Sequence, residues 1–349
     1  MAEKKVPQIS IVIPMYNVEN YVGECLDSLL CQTFQDFEVI VADDCSTDNS
    51  REVVKKYFSK FGGRLQLIES EKNSGGCAVP RNTGMNYATG KYLFFMDSDD
   101  LIIKTALEQL YNAAEKFNAD IVQCENFYTS DTEHLQGAQL QVKRFNPDGY
   151  VTVPTLETEN IGERIKNFHA QRYVWTAWSK LIRRDFMIEN NIKCPVMLNN
   201  EDLVFTIFCL SCAKNILLFP DPVNIYRYRP GSVLRLKMTV LDHVRRWVRS
   251  FANGFSLCDK FLSNLEFYKQ HPEIKYLALD AITQDVFSRL LKIYKNFDAA
   301  LLDDVIRKEF EEYGSNENAA MAAFLFNMSM MYSLQIGNYL KSKSLSNLS

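Results

Sequence analysis

Residues 91–100 read KYLFFMDSDD, an apolar run from Tyr92 to Met96 followed at once by Asp97, Ser98, Asp99 and Asp100. An uninterrupted apolar stretch of this length, closed by turn-forming residues, marks a strand buried on both faces. Where that strand becomes a loop, Asp97 and Asp99 stand at i and i+2 and are able to face one cleft. Hard oxygen donors of this kind suit Mg²⁺ or Mn²⁺, which commonly take one or two carboxylates plus substrate phosphates. The bland alternative is a solvated turn that caps the next helix, because Asp and Ser favour such positions.

Outward from this strand, short β-branched runs alternate with helical patterns. ISIVI (9–13) is stopped by Pro14, EVIVA (38–42) runs into Asp43 and Asp44, RLQLIES (64–70) alternates, and DIVQC (120–124) closes the series. Between them, Val18, Tyr21, Val22, Cys25, Leu26, Leu29 and Leu30 trace one face of a helix. Further helices are expected from Ser46 or Thr47 through Phe61, from about Arg81 to a stop at Gly90, and over about 103–117. Alternation of this sort predicts an α/β fold with a mostly parallel sheet flanked by helices. In such sheets ligands lie beyond the carboxyl ends of the strands. Pro14 with Tyr16 and Asn17, Asp43 with Asp44, and Asp97 with Ser98 and Asp99 all fall there. Tyr16 offers a stacking surface and Asn17 an amide for a base. Asp43 or Asp44 offers an acceptor for base or ribose, while Asp48 reads better as a helix cap.

Composition sets bounds on the rest. Of 349 residues, 47% are hydrophobic and 23% charged, and the formal charge is −4, so no general attraction to nucleic acid is expected. Nine cysteines, most of them single among apolar neighbours, suit a reducing compartment. The Cys209/Cys212 pair lies in an apolar run without a second pair and reads as buried thiols. His134, His169, His243 and His271 have no ligand spacing. MAEKKVPQIS is not followed by the apolar core of a signal peptide, and the expected location is cytoplasmic. Ala319–Ile336 approaches a membrane span in length but carries Asn327, Ser329, Ser333 and Gln335, so a buried or oligomer-forming helix is expected.

Taken together, IVIPMYN (11–17), VADDCSTDNS (41–50), NSGGCAVPRNTG (73–84) and FFMDSDD (94–100) resemble glycosyltransferase family 2 in order and spacing over about 100 residues. The resemblance implies the GT-A fold, a nucleoside diphosphate sugar as donor (UDP above all), and inversion at the transferred sugar. It implies Asp97 at the ribose and metal, Asp99 on Mn²⁺ or Mg²⁺, and Asn73 and Arg81 near the nucleotide. One departure is that Val79-Pro80 precedes Arg81-Asn82 where the family commonly has Ala-Arg-Asn. Pro80 is expected to hold Val79 extended and to start the helix. NNEDLVF (199–205) resembles the family's Glu-Asp motif, with Asp202 as general base and Glu201 beside it. Acids in the first turn of a helix are also common for purely electrostatic reasons. YVWTAWSKLIRRDF (173–186) resembles the segment before that motif, making Trp178 either a sugar platform or a buried aromatic. IYRYRPGSV (225–233) resembles the closing loop, with Arg227, Arg229 and Ser232 as candidates for diphosphate or acceptor.

The expected organisation is a catalytic domain over 1–235, split near 125 into nucleotide-sugar and acceptor halves, and a helical extension over 236–349. Residues 125–170 read as an irregular insertion. The family resemblance implies a saccharide or a lipid-linked saccharide as acceptor, in cell-surface or capsular polysaccharide synthesis. The C-terminal helices are candidates for homodimer contacts or peripheral contact with the inner membrane face. A Gly-rich phosphate loop after the first strand is missing, which disfavours a pyrophosphorylase or an NAD-dependent dehydrogenase. A catalytically silent nucleotide-sugar binder is the remaining alternative.

Overall fold

The computed structural model describes residues 6–130, 132, 133, 135, 138–145, 151–229, 238–293, 308, 309, 311 and 312. Ser232 and the apolar run at 319–336 lie outside the described residues, as does His134. The described residues divide into two compact units, one drawn from Met1–Val196 and Glu201–Leu236, the other from Met197–Asn200 and Lys237–Ser349.

In the first unit the chain runs β1 (Ile9–Met15), α1 (Val22–Leu30), β2 (Phe37–Asp43), α2 (Ser50–Lys55), α3 (Phe58–Phe61), β3 (Leu65–Glu69), α4 (Ala78–Tyr87) and β4 (Tyr92–Phe95). It continues through β5 (Leu101–Ile102), α5 (Ala106–Phe117), β6 (Ile121–Cys124), β7 (Asn126–Thr129), β8 (Gln141–Arg144), β9 (Thr155–Leu156) and α6 (Ile161–His169). A 3₁₀ turn (Ala177–Ser179), β10 (Lys180–Arg183), α7 (Arg184–Glu189), α8 (Glu201–Cys212), β11 (Ile216–Phe219) and β12 (Asn224–Tyr226) complete it. The main sheet has the order β3-β2-β1-β4-β10-β6-β11-β9, and β5-β12-β7-β8 form a smaller one. β3, β2, β1 and β4 are parallel neighbours, as are β6 and β11, whereas β10 enters antiparallel between β4 and β6.

All seven residues of β1 and of β2 are buried, which is why both are mostly apolar instead of alternating, with Ser10, Glu38 and Asp43 as the buried polar exceptions. Helix α4 lies on this layer through Gly84, where an added Cβ would stand 2.4 Å from Val12 Cγ1. Gly90 does not stop that helix, which ends at Tyr87. It permits close approach to the β1 backbone, with an added Cβ 2.7 Å from the Ser10 nitrogen.

Several local expectations are corrected. The helix after Asp43 starts only at Ser50 and breaks into two pieces, because Ser46 and Asp48 spend their side chains on the β1 loop, accepting from the Asn17 and Glu19 amides. Helix α4 begins at Ala78 with Val79 helical, so Pro80 occupies its third position, where a backbone N–H would find no helical partner anyway. The described residues within 125–170 are not simply irregular: they hold β7, β8, β9 and α6. Short strands with exposed faces, such as Gln141–Arg144, lack the apolar alternation that reveals a strand in sequence.

The second unit is helical over α9 (Val240–Ser263), α10 (Glu266–Gln270) and α11 (Pro272–Ile293). Thr239 caps α9 by accepting from the Asp242 amide at 3.2 Å. Val248, Phe251 and Leu262 of α9 and Ala278, Ile282, Val286 and Leu290 of α11 are buried. No described helix is long and apolar enough to cross a membrane.

Candidate active site

The carboxyl ends of β1, β2 and β4 deliver three loops to one rim of the main sheet. Two of them are fastened together by side chains that read from sequence as free for ligand. Asn17, at φ +49°, accepts through Oδ1 from the Thr47 amide at 2.8 Å and donates through Nδ2 to Thr47 Oγ1 at 3.2 Å. Asp43 accepts from the Ser46 amide at 3.1 Å, and Asp44 accepts from the Ser74 amide and hydroxyl, both at 2.9 Å. Asn73 donates to the Asp44 carbonyl at 3.2 Å. Pro14 is buried inside β1, whereas Tyr16 is 45% exposed at the loop mouth. Asn17, Asp43, Asp44 and Asn73 therefore shape the rim, while Tyr16 stands open at its mouth.

Arg81 is the centre of the arrangement. Its side chain is 2% exposed, donating to Asp202 Oδ1 at 2.6 Å through Nη1 and to Asp97 Oδ1 at 3.0 Å through Nη2. Glu201 lies 3.6 Å from the same Nη1. One guanidinium thus gathers acids from β4's loop and from the start of α8, 105 residues apart (202 − 97). The other oxygen of Asp202 accepts from the Ala177 amide at 3.0 Å. Helix α8 is rigidly seated, with every residue from Leu203 to Ser211 buried. Beyond its far end Arg164 binds the carbonyls of Ala213 and Lys214, satisfying groups that a helix terminus leaves open.

Asp99 pairs with Arg229 at 2.9 Å, and Arg229 lies over the Tyr21 ring. Burial raises the Asp97 carboxyl, against the pull of Arg81 and with the help of Asp99 and Asp202. Asp100 is raised well above the usual carboxylate range by burial, then by Asp99 and Asp97. Glu201 is pushed up to about 7 by burial and then by Asp202. Crowded, partly desolvated carboxylates create a standing demand for positive charge.

Two candidates are engaged inside the fold, Trp178 in the second of its two readings. Arg227 does not face a diphosphate: its backbone amide binds Asp100, and its buried guanidinium binds the carbonyls of Asp99 and Glu133 and the carboxylate of Glu24 at 2.6 Å. Trp178 is 7% exposed and packed among Phe127, Phe145 and Tyr226, stacking on the last at 6.2 Å, so it is no sugar platform. Sequence cannot distinguish an arginine or tryptophan that packs from one that binds. Lys180 was missed: fully buried, it donates to the carbonyls of Val174 and Thr176 beside Asp202's loop. Its only sequence signal is a lone cation opening the strand KLIR.

With this geometry in view, the model of "Glycosyl transferase family 2" matches residues 10–179. The uncharacterized glycosyltransferase EpsJ of Bacillus subtilis is 30% identical over 284 residues, covering 79% of this chain and 78% of that one. The chain belongs to glycosyl transferase family 2. It is therefore a glycosyltransferase. The poly(ribitol-phosphate) beta-glucosyltransferase of Bacillus spizizenii is 45% identical over 221 residues, 61% of this chain and 31% of that longer one. Among solved structures, Staphylococcus aureus TarS 1-349 in complex with UDP-GlcNAc is similar with a TM-score of 0.70 at 20% identity, covering 95% of this chain and 92% of that one. At that identity the likeness establishes the fold, which is the mixed α/β GT-A sheet with helices following it.

Proposed function

We propose that this glycosyltransferase moves a sugar from a UDP-sugar to a hydroxyl of a cell-surface polymer, inverting the anomeric centre. The observation that carries the reading is the Arg81 bridge, which brings Asp202 and Asp97 onto one guanidinium. The donor class draws support from the fold neighbour's UDP-GlcNAc, and the acceptor class from the poly(ribitol-phosphate) relative.

Asp97 and Asp99 suit a divalent ion: both are part-exposed carboxylates on one loop, each now facing a guanidinium, and one or two such ligands suffice when phosphates supply the rest. Mg²⁺ or Mn²⁺ held there would neutralise charge on the leaving diphosphate. Asp202 takes the proton of the acceptor hydroxyl as its oxygen attacks C1 and the C1–oxygen bond to the diphosphate breaks. One displacement inverts the centre, and no carboxylate nucleophile is required, in contrast to a retaining glycosidase. Arg81 and Arg229 supply positive charge beside the diphosphate, Glu201 stands next to the base, and Tyr16 receives the base of the nucleotide.

Asp202→Asn is expected to lower transfer by roughly a thousandfold or more while UDP affinity stays within about twofold. Asp99→Asn is expected to abolish the Mn²⁺-dependent part of UDP binding, read by calorimetry. Near-normal transfer in the first variant moves the base elsewhere, and unchanged affinity in the second removes Asp99 from the metal. UDP binding without turnover over a panel of acceptors would return the silent-binder reading.

A further inference from the structure

Lys180 is 1% exposed at the start of β10, and among the described residues no carboxylate comes within ion-pair distance of it. Its ammonium donates instead to the carbonyls of Val174 at 2.9 Å and Thr176 at 2.7 Å, with Ser179 Oγ at 3.5 Å. Burying a cation this way costs free energy that an apolar side chain of similar length would not. Burial indeed pushes the Lys180 amine down to about 8. Packing alone gives no reason to keep an ammonium here.

The partners of Lys180 supply one. The Thr176 carbonyl and the Ala177 N–H belong to the same planar peptide unit, and that N–H is the group donated to Asp202 Oδ2 at 3.0 Å. One amide is thus held between an ammonium at its oxygen and a carboxylate at its nitrogen. Charge at both ends polarises the unit and strengthens the bond to Asp202. Neighbouring groups hold the same loop: Thr206 Oγ1 donates to the Trp175 carbonyl at 3.0 Å and Ser179 Oγ to the Thr176 carbonyl at 2.8 Å.

We propose that Lys180 is a positioning residue for the reaction, orienting the Thr176–Ala177 peptide so that its N–H fixes Asp202 for proton transfer. The inference rests on the reading of Asp202 as the base. Lys180 touches neither nucleotide nor acceptor in this role, so its loss acts on the chemical step and spares donor binding.

Lys180→Met, a near-isostere without charge, is expected to lower kcat by about a hundredfold with donor KM and UDP affinity within about twofold. The double variant with Asp202→Asn should be no slower than Asp202→Asn alone, because the lysine acts through that carboxylate. Ala177→Pro gives a second route should the lysine variant not fold. Thr176 is already extended (φ −75°, ψ 137°) and Ala177 opens the 3₁₀ turn, so proline fits the backbone while removing the N–H. The same kcat loss with intact UDP binding is expected. Unchanged kcat in either folded variant, equal losses in kcat and UDP affinity, or multiplicative losses in the double variant would overturn the inference. Near-normal transfer by Asp202→Asn alone would instead overturn the assignment of the base.

Discussion

A single carboxyl at this rim already carries a measurable signature. Glu201 is raised to about 7, by burial first and by Asp202 second, above the roughly 4.3 expected of an unfolded Glu. The folded chain therefore binds this proton more tightly, and stability is lost as pH rises from the unfolded value through about 7. Thermal melts of the ligand-free protein should fall between pH of about 5 and 7.5, and Glu201→Gln should flatten that fall. An equal slope in the variant would place the titration on another group. At this scale the sequence was informative about which acids end strands or begin helices, and so about which groups converge. It was silent about prior commitments. Asn17, Arg227 and Trp178 have the right chemistry for ligands, yet Thr47, Glu24 and an aromatic cluster occupy them.

Among elements, the seating of α4 on β1 is the contact that places Arg81. Gly84 is the point of closest approach, and any Cβ there meets Val12 at 2.4 Å. Gly84→Ala should destabilise the protein by about 1–3 kcal/mol, the usual cost of overpacking, and should weaken transfer because α4 carries Arg81. A melt within a degree of wild type would show that the helix shifts freely. The parallel strands β1, β2 and β4 were legible because burial on both faces leaves mostly apolar runs, and β3 by its alternation, whereas the starts of α2 and α4 were not. Strand β10 was not, because four residues give no direction and pairing with β4 and β6 depends on chain segments far apart. Nor were β7 to β9, whose short and exposed faces give no periodic signal.

For the first unit as a whole, Arg227 is the widest-reaching tie, joining residues 24, 99, 100 and 133 to the end of β12. Arg227→Met should cost on the order of 3 kcal/mol, with Glu24 half exposed and the backbone bond to Asp100 retained, and should lower Tm by roughly 6–12 °C. A smaller change would mean that the carbonyls it serves find water. The antiparallel entry of β10 bears on the making of the molecule. Its four residues are the seam between a four-stranded half and the β6–β11 half of the main sheet. A nascent chain halted before residue 180 lacks β10 and β11, which leaves one margin of β4 and both margins of β6 unpaired, each able to recruit another chain. Aggregation during synthesis should then be set by the ribosome's pace over the stretch between β6 and β11.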